Sequence, residues 1–158
     1  IRPIGERFNV ALDVIATQTD ATPPSGGVEA QPGTGTELAY QAQLFASSWF
    51  RQGDLNVLGL RYEDSIRGRI ESLSLTSRIP VYGAWRVGPR LRADQRRSNS
   101  PTLTSDERVY LPSMRIDYQR DGKLLELEVG AELRDGTRNG TVEDSKRYFL
   151  GAGYRVSF

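Results

Sequence analysis

Apolar and polar residues alternate with a period of two through segment after segment of the chain, with turn residues between segments and almost no helical periodicity. The clearest run is Leu124 to Arg134, where Leu125, Leu127, Val129, Ala131 and Leu133 fall on one face of a strand and Glu126, Glu128 and Glu132 on the other. Upstream, Tyr110, Pro112, Met114, Ile116 and Tyr118 form a second apolar row. The link Arg120-Asp121-Gly122-Lys123 carries the Asp-Gly pair that a two-residue type I′ turn requires. Folding about Asp121-Gly122 sets Tyr118 against Leu125, Ile116 against Leu127, Met114 against Val129 and Tyr110 against Leu133, with Arg115 opposite Glu128 on the other side. Each row keeps its character, so the predicted register is self-consistent.

The same alternation predicts a first strand near Arg7 to Thr19, with Phe8, Val10, Leu12, Val14 and Ala16 opposed to Asn9, Asp13 and Thr17. Further strands are predicted from Glu37 to Arg51, Leu55 to Asp64, Arg69 to Ser77 and Val81 to Asp94, and a last one from Arg147 to Phe158. Facing between residues 37 and 78 is ambiguous from the pattern alone. Connections alternate in length: long at Asp20 to Thr36, tight at Gln52-Gly53, medium at Ser65 to Gly68, tight at Arg78 to Pro80, long at Gln95 to Asp106, tight at Asp121-Gly122, and long at Asp135 to Lys146. Long and short connections at opposite ends describe an outer-membrane barrel, with long loops outside the cell and short turns in the periplasm. The expected fold is an all-β antiparallel transmembrane β-barrel in one domain, residues 1–158. About eight strands lie in this chain, either a complete small barrel or the C-terminal half of one with about sixteen, both chain ends being periplasmic.

Composition narrows the partners. Eight crossing strands of about ten residues use about half of the 158 residues. A formal net charge of +1 removes the basic field expected of a nucleic-acid binder, so nucleic acid is not an expected partner. The absence of cysteine excludes disulfides and thiolate metal sites. Leu38 to Phe50 is too short and too polar for a membrane-spanning helix. No signal peptide precedes Ile1, so an exported chain is expected here in mature form or as a piece of something longer.

Two features turn the alternation toward lipid. Threaded as above, Phe8, Trp49 or Phe50, Tyr82, Tyr118 and Phe158 lie near short turns, and Tyr40, Tyr62, Tyr110 and Tyr148 near long loops, as two aromatic rings at headgroup level would. The non-apolar face carries both signs of charge: Arg86, Arg90, Arg92, Arg115 and Arg155 against Asp13, Asp117, Glu126, Glu128 and Glu132, the ion-pair network expected of a barrel lumen.

At the C-terminus, Tyr154-Arg155-Val156-Ser157-Phe158 resembles the outer-membrane β-signal, a final amphipathic strand ending in an aromatic residue that the barrel assembly machinery reads. Gly153, Tyr154, Val156 and Phe158 match that pattern, while Gly151 stands where the family prefers a polar residue. More loosely, Pro89 to Asp94, Pro112 to Tyr118 and Tyr148 to Tyr154 resemble the tail of proteobacterial outer-membrane proteins in which periplasmic tetratricopeptide repeats precede a C-terminal barrel, some relatives exporting exopolysaccharide. No helical-repeat signature occurs in this chain.

The chain has no histidine, which removes the usual general base of acyl-transfer chemistry. Glu126, Glu128 and Glu132 share a face, yet neighbouring arginines are expected to neutralise them rather than leave an acid/base pair. The loop carboxylates lack the spacing of a calcium loop, and Gly33-Thr34-Gly35 lacks the lysine of a phosphate cradle. No enzyme activity, cofactor or metal is expected. The implied functions are, first, a translocation pore for a polymer such as exopolysaccharide or for small solutes; second, a closed eight-stranded anchor whose loops bind partners; and third, a soluble periplasmic β-domain. Outer-membrane lipid, the assembly machinery and an upstream or separate chain completing the barrel are the expected partners of the first.

Overall fold

The computed structural model describes the chain except residues 28, 31, 32, 67, 101, 102, 157 and 158, and leaves aside the side chains of Asn99, Ser100 and Leu103. Phe158, the last residue of the predicted assembly signal, therefore lies outside the described residues. Among the described residues, nine antiparallel strands follow one another in sequence order in a single sheet: β1 (Arg2–Ile4), β2 (Phe8–Thr19), β3 (Gly35–Ser47), β4 (Leu55–Ser65), β5 (Gly68–Tyr82), β6 (Trp85–Ser100), β7 (Leu103–Arg120), β8 (Lys123–Arg138) and β9 (Thr141–Val156). The sheet is open, and among the described residues β9 makes no contact with β1 or β2. All-β antiparallel architecture is thus present; a closed barrel is not.

Every pairing predicted for the 110–134 hairpin is found: Tyr118 with Leu125, Ile116 with Leu127, Met114 with Val129, Tyr110 with Leu133, and Arg115 with Glu128. Its turn is left-handed at both central residues, Asp121 at φ 50° and Gly122 at φ 71°, as a type I′ turn demands. Elsewhere the strands run further than their apolar rows. Asn139-Gly140 makes a second turn of the same kind, φ 49° and 81°, so Asp135 to Lys146 is hairpin rather than long loop. Gln95 to Asp106 is likewise mostly strand, with Ser100 paired to Leu103. Ser65 pairs with Gly68, which makes the expected medium link a tight turn. Arg78 to Pro80 belongs to β5, and the turn sits later, between Tyr82 and Trp85, where Gly83 takes φ 55°. Of the three expected long connections only the one after β2 carries no strand among the described residues, its ends tied by Thr34 N–H donating to the Thr19 carbonyl at 2.9 Å.

The link at Gln52-Gly53 is wider than a two-residue turn. Ser47 and Leu55 are the last pair of β3 and β4, and the carboxylate of Asp54 closes the loop between them by accepting from the backbone N–H groups of Trp49, Phe50 and Arg51 at 2.9, 2.8 and 2.8 Å. Trp49 packs edge-on against Phe8, ring centroids 6.2 Å apart, which pins this loop to the start of β2.

Candidate functional site

Cross-strand pairing fixes which residues share a face, including the segment between residues 37 and 78 whose facing the pattern left open. One row runs Leu12, Ala42, Leu60, Leu73, Ala93, Tyr110, Leu133, Lys146 from β2 to β9, and is apolar until its last member. The neighbouring row nearer the chain ends, Val10, Leu44, Leu58, Leu75 and Leu91, is apolar as well. Together such rows make a continuous belt on one face. Its side chains are exposed: Leu12 by 73%, Leu60 by 52%, Val129 by 52% and Leu150 by 74%. An ordinary water-exposed sheet does not present an apolar area of this extent.

The belt has sharp borders. Along β8 it runs from Leu125 to Leu133, eight residue steps, or about 26 Å along the strand and about 20 Å in height at a tilt of about 40°. Lys123 lies beyond one end and Asp135 beyond the other; on β7 the corresponding bounds are Arg120 and Arg108. Tyr40, Tyr62, Tyr110 and Tyr148 mark the upper border, Tyr40 and Tyr62 directly paired with ring centroids 6.3 Å apart. At the other border stand Phe8, Trp85 and Tyr118, the last two also paired, at 4.9 Å. A groove of about 820 Å³ crosses the belt along Leu12, Ala42, Leu60, Leu73 and Ala93, and one of about 430 Å³ opens on the opposite face beside Arg90, Arg115, Glu126 and Arg155.

That opposite face holds every residue expected to line a lumen: Asp13, Arg86, Arg90, Arg92, Arg115, Asp117, Glu126, Glu128, Glu132 and Arg155. Arg115 binds Asp117 at 2.6 Å and also Glu126, while Arg78 reaches Asp117 at 3.7 Å. Glu128 is opposite Arg115 in the ladder, yet its ion-pair partner is Arg90 at 3.4 Å, with the Ser113 hydroxyl donating to it at 3.0 Å. The expected Arg115–Glu128 ion pair is thus replaced by diagonal contacts, because long arginine side chains lean along and across the strands to reach carboxylates beyond their direct ladder partners. Arg92 and Arg96 share the buried Asp94, and Arg134 bridges Glu107 and Glu132 at 2.9 and 3.1 Å. Arg86 donates to Gln119 at 2.9 Å. Each of the three strand glutamates therefore holds an arginine, and none is left as a free acid/base pair.

Arg78, Arg96 and Glu107 lie outside the predicted strands, where the apolar rows fade, and extending the same alternation outward places them; Asp94 and Arg134 end their predicted strands on this face. A glycine surface completes this face. Phe149 lies across Gly130, where an added Cβ would overlap the ring and stand 2.7 Å from Ser113 Cβ. Among the described residues no cluster of carboxylates could hold a metal ion.

No protein-family model, no curated protein and no solved structure matches this chain.

Proposed function

We propose that the chain forms a β-barrel of the bacterial outer membrane, with its apolar belt against lipid and its ion-paired face turned inward. The belt carries this reading: side chains such as Leu127, Val129 and Leu150 stand exposed in a band of bilayer dimensions bounded by charge and tyrosine. On the other face the pairing of carboxylates with arginines supports a narrow barrel, since ions in a narrow interior require partners whereas ions lining water do not. The favoured function is accordingly that of a closed anchor, whose long connection after β2 is held at the surface to meet partners. Assembly through Gly153, Tyr154, Val156 and Phe158 fits this location, with outer-membrane lipid and the assembly machinery as partners and both chain ends in the periplasm.

A translocation pore for a polymer such as exopolysaccharide, or for small solutes, is the second reading. It is favoured by the open sheet, whose edges β2 and β9 do not touch and could admit strands from an upstream or separate chain. Refolding the 158-residue chain into lipid vesicles, with heat-modifiable gel migration and single-channel conductance read on one sample, separates these. A heat-modifiable monomer with little conductance supports the anchor. Steady conductance supports the pore, and a chain that stays soluble and monomeric without lipid refutes both.

A further inference from the structure

The two edges of the sheet carry complementary unpaired charges. Asp13 on β2 and Arg155 on β9 both lie on the ionised face, and neither has an ion-pair partner among the described residues, although the strands between them are laced with such pairs. β2 ascends and β9 descends, so the two edges can meet as an antiparallel pair. The lower part of the β2 edge is already occupied, since β1 pairs with Phe8, Asn9 and Val10. Resting on the barrel reading, we propose that β9 closes onto the free part of β2 within one chain, with Asp13 opposite Arg155, Val14 opposite Tyr154 and Leu12 opposite Val156.

Barrel geometry permits this register independently of the charges. The row from Leu12 reaches Lys146 on β9, and in the proposed pairing, where partner numbers sum to 168, Lys146 would meet position 22, ten residues further up β2. A stagger of about ten residues, about 33 Å, over a circumference of eight strands, about 38 Å, tilts the strands by about 41°, inside the usual 35–45° range. Staggers of about eight and about twelve residues also stay near that range, at about 35° and 46°. They place Arg155 opposite Ala11 and Ile15, and the first also runs Val156 onto Val10, which β1 holds. Arg147, the other unpaired arginine on β9, meets Asp13 only at a stagger of about two residues, a tilt of about 10°. One register therefore satisfies tilt, charge and the free edge together. Eight strands close around an interior just wide enough for side chains to fill, which suits the paired face.

The cysteine-free chain allows a direct test. The double variant Val14→Cys/Tyr154→Cys, refolded into dilauroyl phosphatidylcholine vesicles and oxidised, is expected to give a monomer band that migrates faster without reductant and reverts with it. Val14→Cys/Ala152→Cys and Val14→Cys/Val156→Cys, displaced by two residues, are expected to stay uncrosslinked, because a disulfide tolerates Cα separations only up to about 7 Å. Crosslinking in a displaced pair instead, disulfide-linked dimers, or no crosslink in chains that float with the vesicles would each overturn closure while leaving the membrane reading intact. Chains that do not float with the vesicles overturn the membrane reading itself. As a second arm, Asp13→Arg and Arg155→Asp are each expected to lower the yield of heat-modifiable monomer and to restore it when combined; no rescue would remove the charge pairing.

Discussion

Exchange of Leu127 for Arg discriminates most sharply between lipid and water as the medium of the apolar face. Leu127 sits at the centre of the β8 belt, paired with Ile116 on one side and Ala152 on the other, and is 44% exposed. Because nearly half of the side chain is already uncovered, its loss in water removes at most about half of a buried leucine's transfer energy, roughly 1 kcal/mol. In a bilayer an arginine at this depth costs about 2–4 kcal/mol more, which lowers the folded-to-unfolded ratio by a further factor of about 30 to 800. Tyr148, at the upper border of the belt, provides the depth control, where the same charge costs about 0–1 kcal/mol. Urea titration of each variant in dilauroyl phosphatidylcholine vesicles, followed by the fluorescence of Trp49 and Trp85, gives the two losses on one scale. Equal losses for Leu127→Arg and Tyr148→Arg, or a loss at Leu127 no larger than about 1 kcal/mol, would refute a lipid-facing belt.

Three further outcomes follow from particular contacts. Glu128→Gln should destabilise the chain chiefly by stranding Arg90, so adding Arg90→Leu should recover much of the loss; in a wide, wet lumen the single change should stay below about 1 kcal/mol by urea titration. Gly130→Ala forces Phe149 off its surface and should cost roughly 1–3 kcal/mol, whereas in a Phe149→Ala background the same change should cost clearly less, a coupling that a double-mutant cycle measures. Asp54 lies in the loop outside the belt; burial pushes its carboxyl up, but the three backbone N–H donors from Arg51, Trp49 and Phe50 outweigh this and hold it below its ordinary value of 3.8. Its contribution is therefore complete above that value and is lost as pH falls through the lower folded one, so Asp54→Ala should flatten the acid limb of a hairpin-protection profile measured by amide exchange.

How much of this was legible in the sequence depended on where apolar side chains mark the alternation. From Tyr110 to Leu133 an apolar residue occupies nearly every second position, and pairing came out residue for residue. Where the rows become Ala-Asp-Gln-Arg-Arg-Ser or Thr-Val-Glu-Asp-Ser-Lys, period two persists only in backbone hydrogen bonding, and strand was read as loop. Asn139-Gly140 was an available sign of a hairpin there, as Asp121-Gly122 was in the segment before it. Between residues 37 and 78 both faces carry apolar residues, Phe45 and Val57 on one and Leu44 and Leu58 on the other, so only the pairing to β2 decided the facing. The ionised face was found as a set, but its partners were not, because diagonal contacts depend on side-chain length and lean rather than on ladder position.

Strand length also gives the sheet an uneven skyline. Above Tyr62 the fourth strand continues for three residues to Ser65, while the seventh begins at Leu103, seven residues above Tyr110. At about 3.3 Å per residue these are projections of about 10 and 23 Å along the strand, or about 8 and 18 Å in height at a tilt of about 40°. In the proposed barrel these strands would give a low sill at β4 and a parapet about 10 Å taller at β7. The connection that leaves β2 starts two strands from that sill. In the proposed barrel, whatever reaches it would come across the low side, where neighbouring lipid headgroups crowd in, and would be shielded from behind.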